Sequence, residues 1–132
     1  MQRVEISTRA RSEPVDITRQ VQAAVSESGV AEGAAVICSA HTTAGITVNE
    51  HADPDVIGDL MAALARLAPP TGPYAHAEGN SDAHIKAALV GPSVTLPVSG
   101  GQLVLGTWQG IFFCEFDGPR RRRVTVQVIP GA

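Results

Sequence analysis

Four histidines are the residues of this 132-residue chain best suited to chemistry: His41, His51, His76 and His84. Three neutral imidazoles around zinc leave one coordination position open for water or substrate, as catalytic zinc sites require. Imidazole also binds other divalent transition metals. No metal motif of fixed spacing links the four, so the more frequent interpretation of each is a surface or hydrogen-bonded histidine.

His84 is the strongest candidate metal ligand of the four. Ser81 predicts the start of a short helix, Asp82 to Val90, and His84 falls in its first turn. The positive end of the helix dipole disfavours imidazolium there, which keeps a nitrogen lone pair available to a metal.

A polar pair, Asn49 and Glu50, separates a predicted strand from the second predicted helix. In this position a carboxylate can act as a general base or orient a metal-bound water. The alternative is ordinary polar structure at a helix entry. Asp53 already has a sufficient role as the cap of that helix.

The segment Gly106–Gly110 reads Gly-Thr-Trp-Gln-Gly and combines exposed backbone amides with the Thr107 hydroxyl, the Trp108 indole and the Gln109 amide. These groups suit a planar or phosphorylated ligand. A packed tryptophan on a bulged strand explains the segment equally well.

Four consecutive arginines, Arg120 to Arg123, enter the last predicted strand. Side chains alternate between the two faces of a strand, so two of them can reach a site while two stay solvated. The guanidinium group suits bidentate contact with phosphate. A solvated hairpin end is the more frequent interpretation of such a run.

The elements that must position these residues include three helices. Apolar residues at helical spacing predict a helix from Asp16 to Ser28, which ends at Gly29. A second helix is capped by Asp53, begins at Pro54 and stops before the pair at residues 69–70. The third is the short helix that carries His84.

Strands are predicted at 34–40 and 45–49, on either side of a turn that contains His41. Three more, at 93–98, 102–116 and 123–129, predict an antiparallel meander whose long middle strand bends at its glycines. Strands separated by unequal helices favour an α+β domain.

Composition limits the classes of function. A length of 132 residues fits one domain, 1–132, and a net charge of −3 gives no overall positive field for nucleic acid or an anionic membrane. No signal or membrane-spanning segment is found, which predicts a cytoplasmic protein. Cys38 and Cys114 lie in apolar runs typical of buried thiols, and Lys86, the single lysine, gives little support to Schiff-base chemistry.

Several segments together resemble the YjbQ-like family, whose members are often described as secondary thiamine-phosphate synthases. They are HTTAGITVNE (41–50), NSDAHIKA (80–87), GPSVTLPV (91–98), GTWQGI (106–111) and FDGPR (116–120), and they follow the order of the family. Their joint occurrence is far more specific than any one of them.

The resemblance implies a compact β-sandwich-like α+β subunit in a homotrimer, with a histidine pocket for a divalent metal, zinc being expected. By position, the implied metal ligands are His41, His76 and His84, with Asn49 and Glu50 as catalytic candidates and Thr107 and Gln109 as substrate-binding candidates. Arg123, from the run of arginines, is the third substrate-binding candidate. The implied reaction joins a pyrimidine diphosphate to a thiazole phosphate and releases pyrophosphate. A non-catalytic homotrimer that binds a metal or a metabolite is the alternative.

Overall fold

The computed structural model describes residues 1–132. In chain order the elements are β1 (Gln2–Ser7), β2 (Glu13–Asp16), α1 (Thr18–Ser28), β3 (Gly33–Ser39), β4 (Ala44–Glu50), α2 (Pro54–Leu67), α3 (Ser81–Val90), β5 (Ser93–Ser99), β6 (Gln102–Leu103), β7 (Gln109–Glu115) and β8 (Arg121–Pro130).

Two antiparallel sheets form the body of the protein. The larger has the strand order β1-β8-β3-β5-β6, and the smaller has the order β2-β7-β4. The predicted α+β class with antiparallel sheets is confirmed.

The main core lies between the two sheets. Ile37 and Val126 of the larger sheet and Ile46 and Phe113 of the smaller one are fully buried in a single apolar cluster, to which α1 adds Val21 and its neighbours. Burial of apolar surface is the main favourable contribution to folding, at roughly 25 cal/mol per Å².

Helices α2 and α3 cover the other face of the smaller sheet. Phe112 and Cys114 of β7 point to this side and pack with Ile57 and Leu64 of α2 and with Ala87 of α3. The smaller sheet is therefore buried on both faces, which explains the almost uninterrupted apolar run of β7.

The helix predictions are confirmed with small shifts at the boundaries. Asp53 caps α2 by accepting the Asp55 backbone N–H at 2.9 Å. Helix α1 begins at Thr18, whose backbone N–H donates to Asp16, and α3 begins at Ser81 rather than at Asp82. In none of the three helices is there a stretch long and apolar enough to cross a bilayer.

The long predicted strand at 102–116 is wrong. Its first part is β6, at the edge of the larger sheet, and its second part is β7, in the middle of the smaller sheet. A turn at Gly106, whose carbonyl accepts the Gln109 backbone N–H at 3.1 Å, separates the two parts. The predicted antiparallel meander is wrong for the same reason. The sequence analysis predicts no strands where the structure has β1 and β2.

Three short connections without a helix pass between the two sheets at one end of the sandwich, after β1, after β3 and after β7. Backbone hydrogen bonds tie these crossovers together: Thr8 donates to Arg120, Gly118 donates to Arg11, and Phe116 donates to Thr43. This end of the sandwich is called the crossover end below.

Glycine is required at position 118, because a Cβ there would lie 2.8 Å from Thr8 Oγ1 and closer still to a backbone oxygen.

A buried charge cluster fixes α3 beside this end. Asp82 is fully buried, accepts two hydrogen bonds from Arg11 at 3.0 and 3.1 Å, and pairs with Lys86 at 2.9 Å. Burial raises the pKa of Asp82, but hydrogen bonds from Arg11 and Lys86 more than offset this and bring it to about 2. The single lysine is therefore occupied in a structural ion pair.

Replacing Asp82 with asparagine is expected to lower the free energy of unfolding by about 3–5 kcal/mol, because it leaves Lys86 buried without its counter-charge. Urea denaturation measures the change. Asp59→Asn is the matched control, since Asp59 is exposed on α2. Equal stability of the two variants would show that the buried pair does not hold α3.

Candidate functional site

Two adjoining clefts open at the crossover end. The first, called the arginine cleft, has a volume of about 350 Å³ and is lined by Glu5, Ala40, His41 and Arg121–Arg123. The second, called the polar cleft, has a volume of about 310 Å³ and is lined by Ala40, His41, Thr42, Thr43, Glu78, Asn80, His84, Asp117, Arg120 and Arg122. His41 and Arg122 border both clefts, so the two clefts are neighbours.

The arginines of β8 point alternately to the two faces of the larger sheet. Arg121 and Arg123 are exposed on the outer face of the larger sheet, whereas Arg122 points inward and is only 5% exposed. The predicted substrate-binding residue Arg123 therefore lies in the arginine cleft. The buried member of the run, Arg122, was not singled out from the sequence.

Glu115, at the end of β7, holds the Arg122 guanidinium in place. Arg122 Nε donates to Glu115 Oε1 at 2.8 Å, and Nη2 donates to Glu115 Oε2 and, at 2.8 Å, to Thr43 Oγ1. Thr8 Oγ1 donates to the same carboxylate at 2.7 Å. Burial raises the pKa of Glu115, but the hydrogen bonds from Arg122 and Thr8 lower it overall, so that the carboxylate stays ionised.

One nitrogen of the Arg122 guanidinium has no hydrogen-bond partner within the chain. Nη1 donates to no group of the chain, and it is not among the buried polar atoms that lack a partner. Nη1 is therefore not fully enclosed, it carries two free N–H groups, and Arg122 lines both clefts.

His41 is held in one tautomer by the main chain. The Arg123 backbone N–H donates to His41 Nε2 at 2.8 Å, so the proton of the neutral ring is on Nδ1. No group of the chain hydrogen-bonds Nδ1, which gives the clefts a second free donor beside Arg122. Burial lowers the pKa of His41, and the positive charge of Arg122 lowers it further.

Acceptors also line the polar cleft, together with Arg120. Asp117 Oδ2 accepts from Asn80 Nδ2 at 2.9 Å and from Arg120 Nη2 at 3.0 Å, while Asp117 Oδ1 has no partner. Asn80 Oδ1 is buried and has no partner either. Glu78 adds an exposed carboxylate at the rim.

The three histidines predicted to bind a metal lie near one another, since His41 and His84 both line the polar cleft. His76 and His84 meet edge to face with 5.4 Å between their ring centroids. His41 uses its Nε2 lone pair to accept the Arg123 amide, and its other nitrogen carries the proton. No group of three histidine, cysteine, aspartate or glutamate side chains is placed to hold a metal ion.

Comparison with known proteins decides the family. The sequence model of the UPF0047 protein YjbQ-like family matches residues 2–131. The chain belongs to this family. It is 55% identical to UPF0047 protein MJ1081 of Methanocaldococcus jannaschii over 95% of this chain and 91% of that protein. It is 48% identical to UPF0047 protein YugU of Bacillus subtilis, over 96% of each chain.

Solved structures share the fold of this YjbQ-like chain. A family member from Clostridium acetobutylicum has a TM-score of 0.95 at 51% identity, covering 98% of this chain and all of that one. A YbjQ-like protein of Sulfolobus solfataricus has a TM-score of 0.94 at 37% identity, covering 98% of this chain and 96% of that one.

The remaining predicted site residues lie at the other end of the smaller sheet. Ala44 pairs with Glu115 at the crossover end, whereas Asn49 and Glu50 pair with Gly110 and Gln109 at the far end. Six residues of strand separate the two ends, or about 20 Å. In this YjbQ-like chain, Asn49, Glu50, Thr107 and Gln109 therefore cluster with one another and not with His41 or His84.

At the far end these side chains mostly bond to the local backbone. Asn49 accepts the Glu50 N–H at 2.7 Å, Glu50 accepts the Asp53 N–H at 3.2 Å, and Gln109 accepts the Gly106 N–H at 2.7 Å. Trp108, predicted as a packed or ligand-binding ring, is 62% exposed. His51 joins this end and lies 2.8 Å from Asp16.

The two cysteines, predicted to be buried thiols, differ in how deeply they are buried. Cys114 is fully buried, and burial raises its pKa to about 12, which leaves it unreactive as a nucleophile. Cys38 is partly buried.

The lowered pKa of His41 predicts a loss of stability in mild acid. Below its ordinary pKa of 6.5 the unfolded chain binds a proton that the folded chain does not, so stability falls as the pH drops through this value. We expect the free energy of unfolding to be lower at about pH 5.5 than at about pH 7.5, and the difference to shrink in His41→Gln.

Glutamine is the suitable replacement because its side-chain oxygen can still accept the Arg123 amide. The carboxylates of Glu115 and Asp82 do not interfere with this measurement. Because their pKa values are lowered, they reduce stability only when the pH falls below their ordinary pKa values of 4.5 and 3.8. An identical pH dependence in both proteins would show that His41 is not held neutral by the fold.

Proposed function

We propose that this protein binds a small phosphorylated metabolite in the two clefts at the crossover end and acts on it there. The observation that carries the proposal is the free Nη1 of Arg122, a buried guanidinium that lines both clefts. Arginine that is already fixed by other hydrogen bonds loses little freedom when it binds an anion.

Phosphate fits this arrangement because Arg122 and His41 each offer a free donor. His41 Nδ1–H is a neutral donor, and Arg121 and Arg123 add positive charge at the outer edge. Phosphate oxygens are acceptors only, and they form short, charge-assisted hydrogen bonds with guanidinium groups. The partly buried setting of Arg122 strengthens such bonds relative to exposed ones.

The reaction that the family resemblance implies makes use of such a site. When thiamine phosphate is formed, the carbon–oxygen bond to the diphosphate of the pyrimidine breaks and negative charge grows on the departing pyrophosphate. Donors fixed in advance around that charge lower the barrier. Arg122, His41 and the outer arginines are the groups of this chain suited to that role.

The divalent metal that the resemblance implies does not fit the donor groups as they stand. His41 has no free lone pair, and His76 and His84 are two ligands where zinc requires three or four. The proposed mechanism is therefore built on the arginines and His41, without a metal-dependent step.

The alternative, a protein that binds a phosphorylated metabolite without reaction, is favoured by the position of Glu50. The predicted general base lies about 20 Å from the clefts within one chain. The homotrimer that the resemblance implies offers a second copy as the source of Glu50 for a given cleft.

Arg122→Lys is expected to weaken binding of inorganic phosphate and pyrophosphate at least about tenfold. Lysine can keep an ion pair with Glu115, but a single ammonium cannot also present a second nitrogen to the clefts. Isothermal titration calorimetry measures the affinity, and thermal unfolding verifies that the variant folds.

Arg66→Lys is the matched control, because Arg66 is exposed near the end of α2. A chelator is expected to leave pyrophosphate binding unchanged. Unchanged affinity in Arg122→Lys would refute the arginine site, and loss of binding on chelation would restore the histidine metal site.

Turnover distinguishes the two functions. With the pyrimidine diphosphate and the thiazole phosphate as substrates, the enzyme is expected to form thiamine phosphate, and Arg122→Lys to lower kcat/KM at least about tenfold. Glu50→Gln is expected to leave pyrophosphate affinity unchanged. Tight binding of both substrates without product would favour the non-catalytic alternative.

A further inference from the structure

The two sheets have four edge strands, and three of these edges are poorly suited to pairing with another strand. β6 has two residues, and β2 has four and contains Pro14, which has no backbone N–H. β4 is bordered by the end of α3, since the Ile46 N–H donates to the Gly91 carbonyl at 2.9 Å. β1 has six residues in an unbroken register and pairs only with β8, so its other edge is open.

The register of β1 shows which backbone groups lie on this open edge. Glu5 is opposite Arg123 of β8, but Arg123 directs its backbone to the other side. Its N–H donates to His41 at 2.8 Å, and its carbonyl accepts from Ala40 at 3.2 Å. The backbone N–H and carbonyl of Glu5 therefore point away from β8. Alternate residues of an antiparallel strand behave alike, so those of Arg3 also lie on the open edge.

The side chains of these two residues carry opposite charges. Arg3 and Glu5 are exposed, and neither makes an ion pair within the chain. Val4, between them, packs against the main core. Charged side chains commonly protect an edge strand against pairing, because like charges repel a second strand. Here the two charges differ in sign, so this protection depends on the register in which a second strand approaches.

A second copy of β1, antiparallel to the first, fits the open edge in one register. Hydrogen-bonded pairs must join residues of the open edge, so a two-fold axis can pair Arg3 with Arg3, Glu5 with Glu5, or Arg3 with Glu5. The first two choices place like charges opposite each other, which is destabilising. The third places Arg3 opposite Glu5 twice and Val4 opposite Val4, and each Arg3–Glu5 pair also exchanges both backbone N–H···O bonds.

We propose that two copies of this chain associate through β1 in this register, so that their larger sheets become one continuous sheet across a two-fold axis. The inference does not depend on the proposed function. A two-fold contact doubles the number of copies in an assembly, which gives a dimer from single chains and a hexamer from the homotrimer that the resemblance implies.

The pairing also changes the arginine cleft. Glu5 is the one acidic residue that lines it. In the proposed register, Arg3 of the second copy lies beside Glu5, so that the charges of Arg123, Glu5 and the second Arg3 alternate across the joined strands. An opposite charge beside Glu5 offsets the repulsion that its carboxylate exerts on an anion in the cleft. Association through β1 therefore makes the arginine cleft more favourable to anions.

The wild-type protein tests the pairing directly. Sedimentation equilibrium at chain concentrations from about 10 to about 500 µM covers the range expected for a contact made mainly by one strand. We expect the largest species to contain an even number of copies. Amide hydrogen exchange at Arg3 and Glu5 is expected to slow on association, whereas Val4 and Ile6, which are bonded to β8, serve as the internal control.

Two charge variants test the register. Arg3→Glu leaves two acidic residues on the open edge and Glu5→Arg leaves two basic ones, so each variant is expected to self-associate through β1 at least about tenfold more weakly than the wild type. An equal mixture of the two is expected to recover the association, because each facing pair then joins opposite charges. Arg66→Glu, the same change of charge at the exposed end of α2, is the control and should associate like the wild type.

Three outcomes would overturn the inference. The first is an odd number of copies, one included, at every concentration. The second is an even assembly in which the Arg3 and Glu5 amides exchange as fast as in the dissociated chain. The third is a mixture of folded variants that does not recover the association. Thermal unfolding verifies that both variants fold, and the exchange measurement on the wild type decides if Glu5→Arg, which places two arginines opposite each other on β1 and β8, does not.

Discussion

The buried pair between Glu115 and Arg122 is the interaction on which both the fold and the candidate site depend. Glu115 ends β7, Arg122 follows the crossover into β8, and the two threonines that complete the network, Thr8 and Thr43, belong to the other two crossovers. A buried charge must be paired, and removing one partner of such a pair typically costs about 3–5 kcal/mol. One ion pair therefore fixes how the chain passes between the two sheets, and the clefts lie where it does so.

The same pair explains why the site carries arginine. Of the five N–H groups of a guanidinium, Arg122 directs those on Nε and Nη2 to Glu115 and Thr43, which leaves both hydrogens of Nη1 free. A lysine could satisfy Glu115 but would have no second nitrogen to offer. The side chain thus stabilises the crossovers with one edge and leaves the other edge free for the proposed ligand. Its guanidinium is held in one position because it also belongs to the structural ion pair.

Local signals in the sequence predicted those parts of the fold that local interactions determine. Asp53 and Pro54 identify the start of α2, and Gly29 the end of α1, through effects confined to one helical turn. The division of residues 102–116 between two sheets depends on pairing with distant strands, which periodicity does not report. A signal for Arg122 did exist: Glu115 interrupts the apolar run of β7 and, if buried, requires a cationic partner from elsewhere in the chain.

The motifs that carry the family resemblance fall at two places in the folded chain, and this separation constrains any mechanism. The segment 41–50 runs the length of β4 and its preceding crossover, so that His41 is at one end and Glu50 at the other. A reaction that needs both Glu50 and the anion-binding groups of the clefts must take them from two different chains. Chemistry confined to one chain must instead use the groups of the clefts, where the side chains with the capacity to accept a proton are Glu5, Glu78, His84 and Asp117.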